Sequence, residues 1–489
     1  MDYLDPEKQR RHGFLLIVGY ITIAIAIVIA TTVLVYQAYG FGIDRNGTVI
    51  QNGIVFFSSH QSPATIYIDG KQARSQTNTR LSLAANVYDI RLSRPGYHDW
   101  RRTIAVDGGG VSHFDYPLLI PKVLNPVDVA SFSALPSFST QSPDRRWLLL
   151  QSPDDPLSLL EYDLKSPARP AVTITLPATL LVGATTPAQW QLVEWSDDNR
   201  HLLLKHVTGA QIDYVLVDRE SPEASVNLNQ LLAITPTDIR LIDKKYDQYY
   251  VSQADGGLQS ASLRSPQLTP QLSGVLAYKS YGSDQLLYVT ASDAPEGKIS
   301  VKLRVGSKTT QLRNFPISDK YLLDLADFDG TPYVVISSVV ENKVYIYRDP
   351  LAQLASRKLP VIVPQQVLRV TSPDYLSFSQ TAQYVMAEHD NQIAVYDLRN
   401  KSGYNYTQTA VLDSHQTHVR WMDGDRLIYT SGGRVHILDY DQLNQRTLVP
   451  QTPASTPVFA PDFKTIFTLV PTAQGAVLQS TSLLSPGDQ

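Results

Sequence analysis

Hydrophobic positions along this chain follow two patterns. From Phe14 to Tyr36 they run on almost unbroken, FLLIVGYITIAIAIVIATTVLVY, twenty-three residues without a charge. At about 1.5 Å per residue that run reaches roughly 34 Å, enough to cross a hydrocarbon core of about 30 Å. It predicts a membrane-spanning helix over 14–38. The alternative is a cleaved signal sequence, since Ala38-Tyr39-Gly40 offers small residues at a cleavage spacing. Signal cores run only about 7–15 residues, which favours an uncleaved anchor. After Ile54 the apolar runs shorten to between four and eight residues and alternate with polar turns. No later stretch carries the 3.6-residue period of a long amphipathic helix.

The short runs fall into two sets. Ile54–Ser58, Pro63–Gly70, Val87–Leu92, Trp100–Val106 and His113–Leu118 read as strands, with Asp69-Gly70 as a hairpin turn. From Asn125 on, one unit recurs eight times: apolar strand, polar turn, apolar strand, then a third strand and a poorer fourth. Its copies include FSTQSPDRRWLLLQ, LVEWSDDNRHLLLK and VRWMDGDRLIYTSG. Four strands at a period of roughly 40–50 residues predict a β-propeller of eight blades, or seven if one copy is decayed. A strand at Val127–Phe132 is placed to complete the last blade and close the ring. The expected organisation is mainly β: a tail 1–13, a membrane helix 14–38, a linker 39–51, a small sandwich 52–121 and a propeller 125–489.

Residues 52–121 resemble a PEGA domain. The likeness rests on Ser59, Ala64, the run Ile66-Tyr67-Ile68-Asp69-Gly70, Tyr88, and the turn Pro95-Gly96-Tyr97. Thr79-Arg80 and Ala85-Asn86 depart from the family's Thr-Pro pair and its glycine. Asn tolerates the left-handed turn that glycine would supply. The resemblance implies a β-sandwich in a surface protein of a prokaryotic envelope, not catalysis. The repeats resemble WD40-like and TolB-like propellers through Ser142-Pro143-Asp144, its echo at Pro461-Asp462, and strand ends such as Val395-Tyr396-Asp397-Leu398. That resemblance implies a rigid interaction platform.

Charge fixes the expected orientation. Lys8, Arg10 and Arg11 precede the apolar run, and only Arg45, beside Asp44, follows closely. Positive flanks stay in the cytoplasm, so the N-terminus is expected inside and the rest of the chain outside. Tyr36, Tyr39 and Phe41 would form an aromatic belt at the outer interface. The net charge of −4 and a charged content of 18% give no basis for nucleic-acid binding. The absence of cysteine removes disulfides, thiolate metal sites and cysteine nucleophiles.

No catalytic motif of the hydrolase, β-lactamase or zincin type occurs. The ten histidines are scattered. Asp324, Asp327, Asp329 and Gly330 echo a calcium loop, but an EF-type register puts Leu325 and Ile336 at ligand positions. A plain Asp-Gly turn is the expectation, and no metal or cofactor is expected. Asp144, Asp154, Asp155, Asp197, Asp198 and Asp374 could supply paired carboxylates for glycan cleavage. Asn46 and Asn405 stand in glycosylation sequons. Trp100 and Arg101, after the Pro95–Tyr97 turn, are candidates for holding a partner, with Trp100 starting a strand and packing in the sandwich as the equal alternative. So are Arg145, Arg200, Lys244 and Arg426, which occupy matching turns and are expected on one face of the ring. If they face a partner, reversing Arg145 and Arg200 should weaken capture without changing melting; merely solvated turns are the alternative. The expected function is a non-enzymatic, membrane-anchored extracytoplasmic binding protein. Its expected partners are the bilayer, through residues 14–38, and an envelope protein or cell-wall glycan. A propeller hydrolase or lyase acting on envelope polysaccharide is the alternative.

Overall fold

The computed structural model describes residues 6–38, 40–43, 49–181, 189–355, 362–409, 412–413 and 418–488. Tyr39, Asp44, Arg45, the Asn46 sequon and His415 lie outside them. The chain forms two compact units, one of residues 1–123 with 485–489 and one of residues 124–484.

The first unit opens with helix α1 (Pro6–Ala38). Its Arg10–Gln37 stretch is long and apolar enough to cross a membrane. Its side chains are uncovered, Phe14 at 67% and Tyr20 at 69% exposed. Thr22 and Thr32 donate their hydroxyls to Val18 O and Val28 O, both at 2.8 Å. Hydroxyls satisfied within the helix suit an apolar surround.

Residues 39–51, expected as a linker, are in part sheet. Strand β1 (Phe41–Ile43) pairs antiparallel with the start of β2 (Val49–Phe57), Phe41 opposite Gln51. A three-residue strand containing glycine is too short to show as a period. β2 then pairs with β5 (Thr79–Ala84) and, in parallel, with β8 (Val111–Phe114). The second sheet has the order β4 (Lys71–Gln76), β3 (Thr65–Ile68), β6 (Asn86–Ser93), β7 (Trp100–Val106). Val55, Phe57, Ile66, Ile90, Leu92, Trp100, Ile104 and Val106 fill the space between the sheets. β7 alternates strictly, with Trp100, Arg102, Ile104 and Val106 inward and the residues between them exposed.

The second unit is eight successive four-stranded antiparallel sheets. Their innermost strands are Ser139–Gln141, Gln189–Trp195, Asp238–Ile242, Val275–Tyr281, Tyr321–Phe328, Tyr375–Phe378, Arg420–Trp421 and Val458–Phe459, defining blades 1 to 8. Blade 8 takes its outer strand from the start of the unit: β9 (Pro126–Phe132) pairs with Gly475–Ser482. The ring is therefore fastened by one sheet built from both ends, which leaves no free edge at the join.

Apolar cores weld each blade to the next. Leu149 and Ile174 of blade 1 share a cluster with Trp195, Leu202 and Val215 of blade 2. Tyr214 and Leu216 continue it to Tyr249 of blade 3. Leu148 and Leu150 turn the other way and meet Phe467 and Leu469 of blade 8. That last contact closes the circle. It also explains why second strands such as Leu148–Leu150 and Leu202–Leu204 read as unbroken apolar runs: a blade is covered on both faces, so neither register of the strand faces water. Each such leucine contributes about 1.5–3 kcal/mol of burial. The structure thus has eight blades, not seven.

Candidate functional site

The turns between first and second strands gather on one side of the ring. Asp144 N donates to Asn199 Oδ1 at 2.9 Å, linking blades 1 and 2. Asp197 N donates to Lys244 O at 3.1 Å, linking blades 2 and 3. Arg145 reaches further. Its φ of +62° aims the side chain at the turns of other blades. There Nη2 donates to Gln380 Oε1 at 2.8 Å and to Met422 O at 2.9 Å, and the guanidinium lies 4.0 Å from the centre of the Phe463 ring. One side chain of blade 1 thus ties together the turns of blades 6, 7 and 8.

A second device repeats beside these turns. In blades 1, 2 and 6 the residue just before the second strand bonds the aspartate that ends the third. Arg146 Nε and Nη2 bond Asp163 at 3.2 and 2.9 Å. Arg200 Nε bonds Asp218 at 2.7 Å, and Gln383 Nε2 bonds Asp397 at 3.3 Å. Each aspartate also accepts backbone N–H groups of the next turn: Lys165, then Glu220 and Ser221, then Arg399 and Asn400. The hydrogen bond from Arg146 holds the Asp163 carboxyl below the usual range despite partial burial. Burial works against Asp218 too, but Arg200 and the turn N–H groups outweigh it.

These arrangements revise the residues singled out from the sequence. Trp100 is 1% exposed and packs inside the sandwich, edge-on to Tyr116, so it cannot hold a partner. Arg426 is 4% exposed and bonds Asp423 through Nε at 2.9 Å. Arg145 and Arg200 are engaged within the ring as described, so reversing them would disturb the fold. Lys244 stays at the surface, its side chain 61% exposed and 3.8 Å from Asp197. Arg101 is exposed on the sandwich, 3.6 Å from Asp99.

The acids considered for glycan cleavage are each engaged with other groups. Asp144 accepts from Arg146 N, and Asp198 bonds His201. Asp154 and Asp155 lie in the second-to-third strand turn of blade 1, at the other end of those strands, bonded to Ser133 and Ser158. Asp374 faces His389 at 3.3 Å in blade 6. Asp329 has φ +50° in a plain hairpin turn, while Asp324 accepts Phe378 N at 3.2 Å. Among the described residues no group of three or more His, Asp or Glu side chains could hold a metal.

What remains is the wall around the ring's axis. A cavity of about 810 Å³ is lined by the inner strands of blades 2 to 4, with Glu194, Asp238, Arg240, Tyr278, Lys279 and Tyr281 among its walls. Asp238 accepts from Arg240 Nε at 2.8 Å, and Lys279 Nζ lies 3.5 Å from Asp324 of blade 5. Burial raises the Glu194 carboxyl, opposed by the Leu241 N–H that it accepts and by Arg240 and Lys279. A second cavity of about 610 Å³ lies among the inner strands of blades 1, 2, 7 and 8, with Gln141, Gln191, His418, Arg420 and Trp421 on its walls. Behind His418 sits Glu388, 1% exposed, which accepts Val419 N at 3.0 Å. Burial pushes its carboxyl up, and His418, 3.9 Å away, opposes this. Tyr375 stacks on the His418 ring at 4.4 Å. Sequence reasoning missed this group because Tyr375 and Glu388 of blade 6 meet His418 of blade 7 only in the folded ring. The first cavity has a polar wall of mixed sign, and the second a polar wall whose charged side chains, Arg145 and Arg420, are basic; both suit hydrogen-bonding a polar ligand and not enclosing an apolar one.

Residues 52–120 match the family described as PEGA domain. No curated protein matches the chain. Among solved structures, the chain is similar to a dihydro-heme d1 dehydrogenase at 14% identity, over 65% of this chain and 66% of that one, with a TM-score of 0.42. It is similar to a β-propeller domain from Myceliophteria thermophila at 12% identity, over 67% and 100%, with a TM-score of 0.39. It is similar to dipeptidyl peptidase 4 of Porphyromonas gingivalis at 12% identity, over 71% and 58%, with a TM-score of 0.47.

Proposed function

We propose that the chain is a membrane-anchored binding protein of a prokaryotic envelope and that its propeller is a non-catalytic interaction module. On this reading α1 is an uncleaved anchor. Lys8, Arg10 and Arg11 stay in the cytoplasm, and the sandwich and propeller stand outside. The observation that carries the anchor is the uncovered apolar helix over Arg10–Gln37, with the PEGA match starting at residue 52. The observation that favours binding over catalysis is how the propeller's charged groups are used. Arg145, Arg146, Arg200 and Arg426 are engaged with partners inside the ring, and Asp144, Asp198 and Asp374 with the turn N–H of Arg146, His201 and His389. The polar channel wall is the surface left for an envelope protein or cell-wall glycan.

Two measurements test this. Mass spectrometry of the membrane fraction should find the first forty residues on the mature chain; a start near Phe41 in the medium would refute the anchor. Detergent-solubilised full-length protein should retain a binding partner from envelope extract, and Lys279→Glu with Arg240→Glu should weaken that retention. Turnover of envelope polysaccharide by the purified chain would overturn the non-catalytic reading.

A further inference from the structure

We propose that the end of the sandwich next to α1 is docked in the lipid headgroup layer, so that the domain lies on the bilayer and does not swing above it. This inference rests on α1 being a membrane anchor.

Hydrogen bonds and a ring contact join the helix to the start of the sandwich. Gly40 N donates to Gln37 O at 3.0 Å and Gly40 O accepts Asn52 N at 2.7 Å, and β1 starts at the next residue. Gly40 has φ +79°, and a Cβ there would stand 2.6 Å from Asn52 O, so only glycine makes this passage. Tyr36 on the helix and Phe41 on the strand meet with ring centres 5.1 Å apart. The stretch Arg10–Gln37 is about 42 Å long at 1.5 Å per residue. A bilayer is about 30 Å thick in its hydrocarbon and about 40–45 Å with headgroups. Gly40 and Asn52 then fall at the level of the headgroups.

Two turns of the sandwich lie at that level. Ala85 N donates to Gln51 O at 3.0 Å, and Gly109 N donates to Asn52 O at 2.9 Å. Beside these turns the outward strand residues are apolar or, at Ser82, small and uncharged; exposed Asp107 stands in the turn itself, and charge on the strands appears only further along. On β6 and β7, exposed Val87 stands opposite exposed Ala105; Asp89 opposite Thr103 comes next, then Arg91 opposite Arg101. On the other sheet, Ile54 stands between Ser82 and Val111; Phe56 between Arg80 and His113 comes next. Val87 is 58% exposed, Val111 57% and Ile54 38%. Asp107 is the one charged residue in 82–88 and 104–111.

This gradient matches a lipid surface in direction: apolar where the helix enters, charged where water must be. A few valines bind a bilayer weakly on their own. Carried by a sandwich whose first strand starts shortly after the anchor, they meet the bilayer at high local concentration, so weak contact suffices.

The chain has no cysteine, so single reporters can be placed at will. Val87→Cys, Val111→Cys and, at the other end of the sandwich, exposed Gln76→Cys are labelled with an environment-sensitive fluorophore. The full-length variants are reconstituted in phosphatidylcholine–phosphatidylglycerol vesicles and floated. Labels at 87 and 111 should resist aqueous iodide several-fold better than the label at 76. They should also be quenched by a lipid with a headgroup nitroxide. Equal iodide access at all three sites, in protein that floats with the vesicles, overturns the docking and leaves the anchor intact. Protection from iodide without nitroxide quenching, rising with protein concentration, would mean a second copy covers the face and also overturns it. Failure to float refutes the anchor and this inference together.

Discussion

Tyr97 and Asp488 stand 391 positions apart in the chain, and the phenol of the first donates to the carboxylate of the second at 2.7 Å. The same phenol accepts Ser485 N at 2.8 Å, and Arg94 pairs with the other Asp488 oxygen. Tyr97 belongs to the turn by which residues 52–121 resemble a PEGA domain, and it also clasps residues 485–488. Beside it Lys122 N donates to Gly96 O, so the chain leaves the sandwich and returns to it at the same turn.

Tyr97→Phe should free that end. The change removes two hydrogen bonds at a buried phenol, a local cost of about 1–2 kcal/mol. Exchange of the Ser485 amide and digestion by carboxypeptidase should both accelerate, with the rest of the chain unchanged. The Tyr97 bond, with Arg94, holds the Asp488 carboxyl below its usual range. A lowered acid contributes stability above its unfolded value of about 4 and loses it as pH falls through the lowered one. The clasp should therefore be complete at neutral pH and open only in acid. Unchanged exchange in Tyr97→Phe would show that the clasp holds nothing.

Gly475 governs the fastening of the ring. It has φ +135°, and a Cβ there would stand 2.0 Å from Phe132 O, backbone against backbone. Gly475→Ala should separate β9 from blade 8 and destabilise the propeller by about 2–4 kcal/mol. Gly306 is the control: its φ is +58° and nothing lies within 4 Å of its Cβ. Gly306→Ala should cost only about 1 kcal/mol. Equal losses in thermal or urea unfolding would show that closure through β9 is not what holds the ring.

The ring was legible in the sequence for the reason that it is stable: blades covered on both faces leave unbroken apolar runs such as Leu148–Leu150 and Leu202–Leu204 in their second strands. The interior bonds were not. The partners Arg146 and Asp163 are 17 residues apart, Arg200 and Asp218 are 18, and Gln383 and Asp397 are 14. Turn length between the strands varies, so no fixed spacing shows the pairing. Arg145 was read as a solvated turn residue because nothing local shows a positive φ or reveals partners more than 230 positions away. Trp100 could have been placed correctly. The alternation Trp-Arg-Arg-Thr-Ile-Ala-Val puts it on the side of Ile104 and Val106.

Arg145 and Lys244 separate a fold role from a surface role. Arg145→Ala loses bonds to Gln380 and Met422 and the face of Phe463, and should cost about 1–3 kcal/mol. Lys244→Ala should fall within about 0.5 kcal/mol of the parent, as exposed substitutions do. The pair Arg145→Glu with Arg200→Glu should lower the melting temperature, because Asp218, 4% exposed at its side chain, would face a second carboxylate. Unchanged melting in that double variant would return these arginines to the list of solvated, partner-facing groups.

Asp425 should give the propeller a pH dependence of its own. It lies in the blade 7 turn, where Asp425 N donates to Asp423 Oδ1 at 2.8 Å, with Arg426 and Asp439 close by. Burial and the neighbouring Asp423 push its carboxyl up to about 6, against the opposing pull of Arg426. A raised acid favours the fold fully below its unfolded value of about 4, and that contribution is lost as pH rises through 6. A shift of about two units corresponds to about 3 kcal/mol; with the side chain partly exposed, about 1–2 kcal/mol is expected. Asp425→Asn removes the titration while keeping the shape. Parent and variant should unfold alike at pH 4, and the variant should be the more stable of the two by pH 7. Denaturant unfolding at intervals across that range reads the difference directly. Parallel curves would mean that Asp425 is ionised throughout, with Arg426 rather than Asp423 setting its charge.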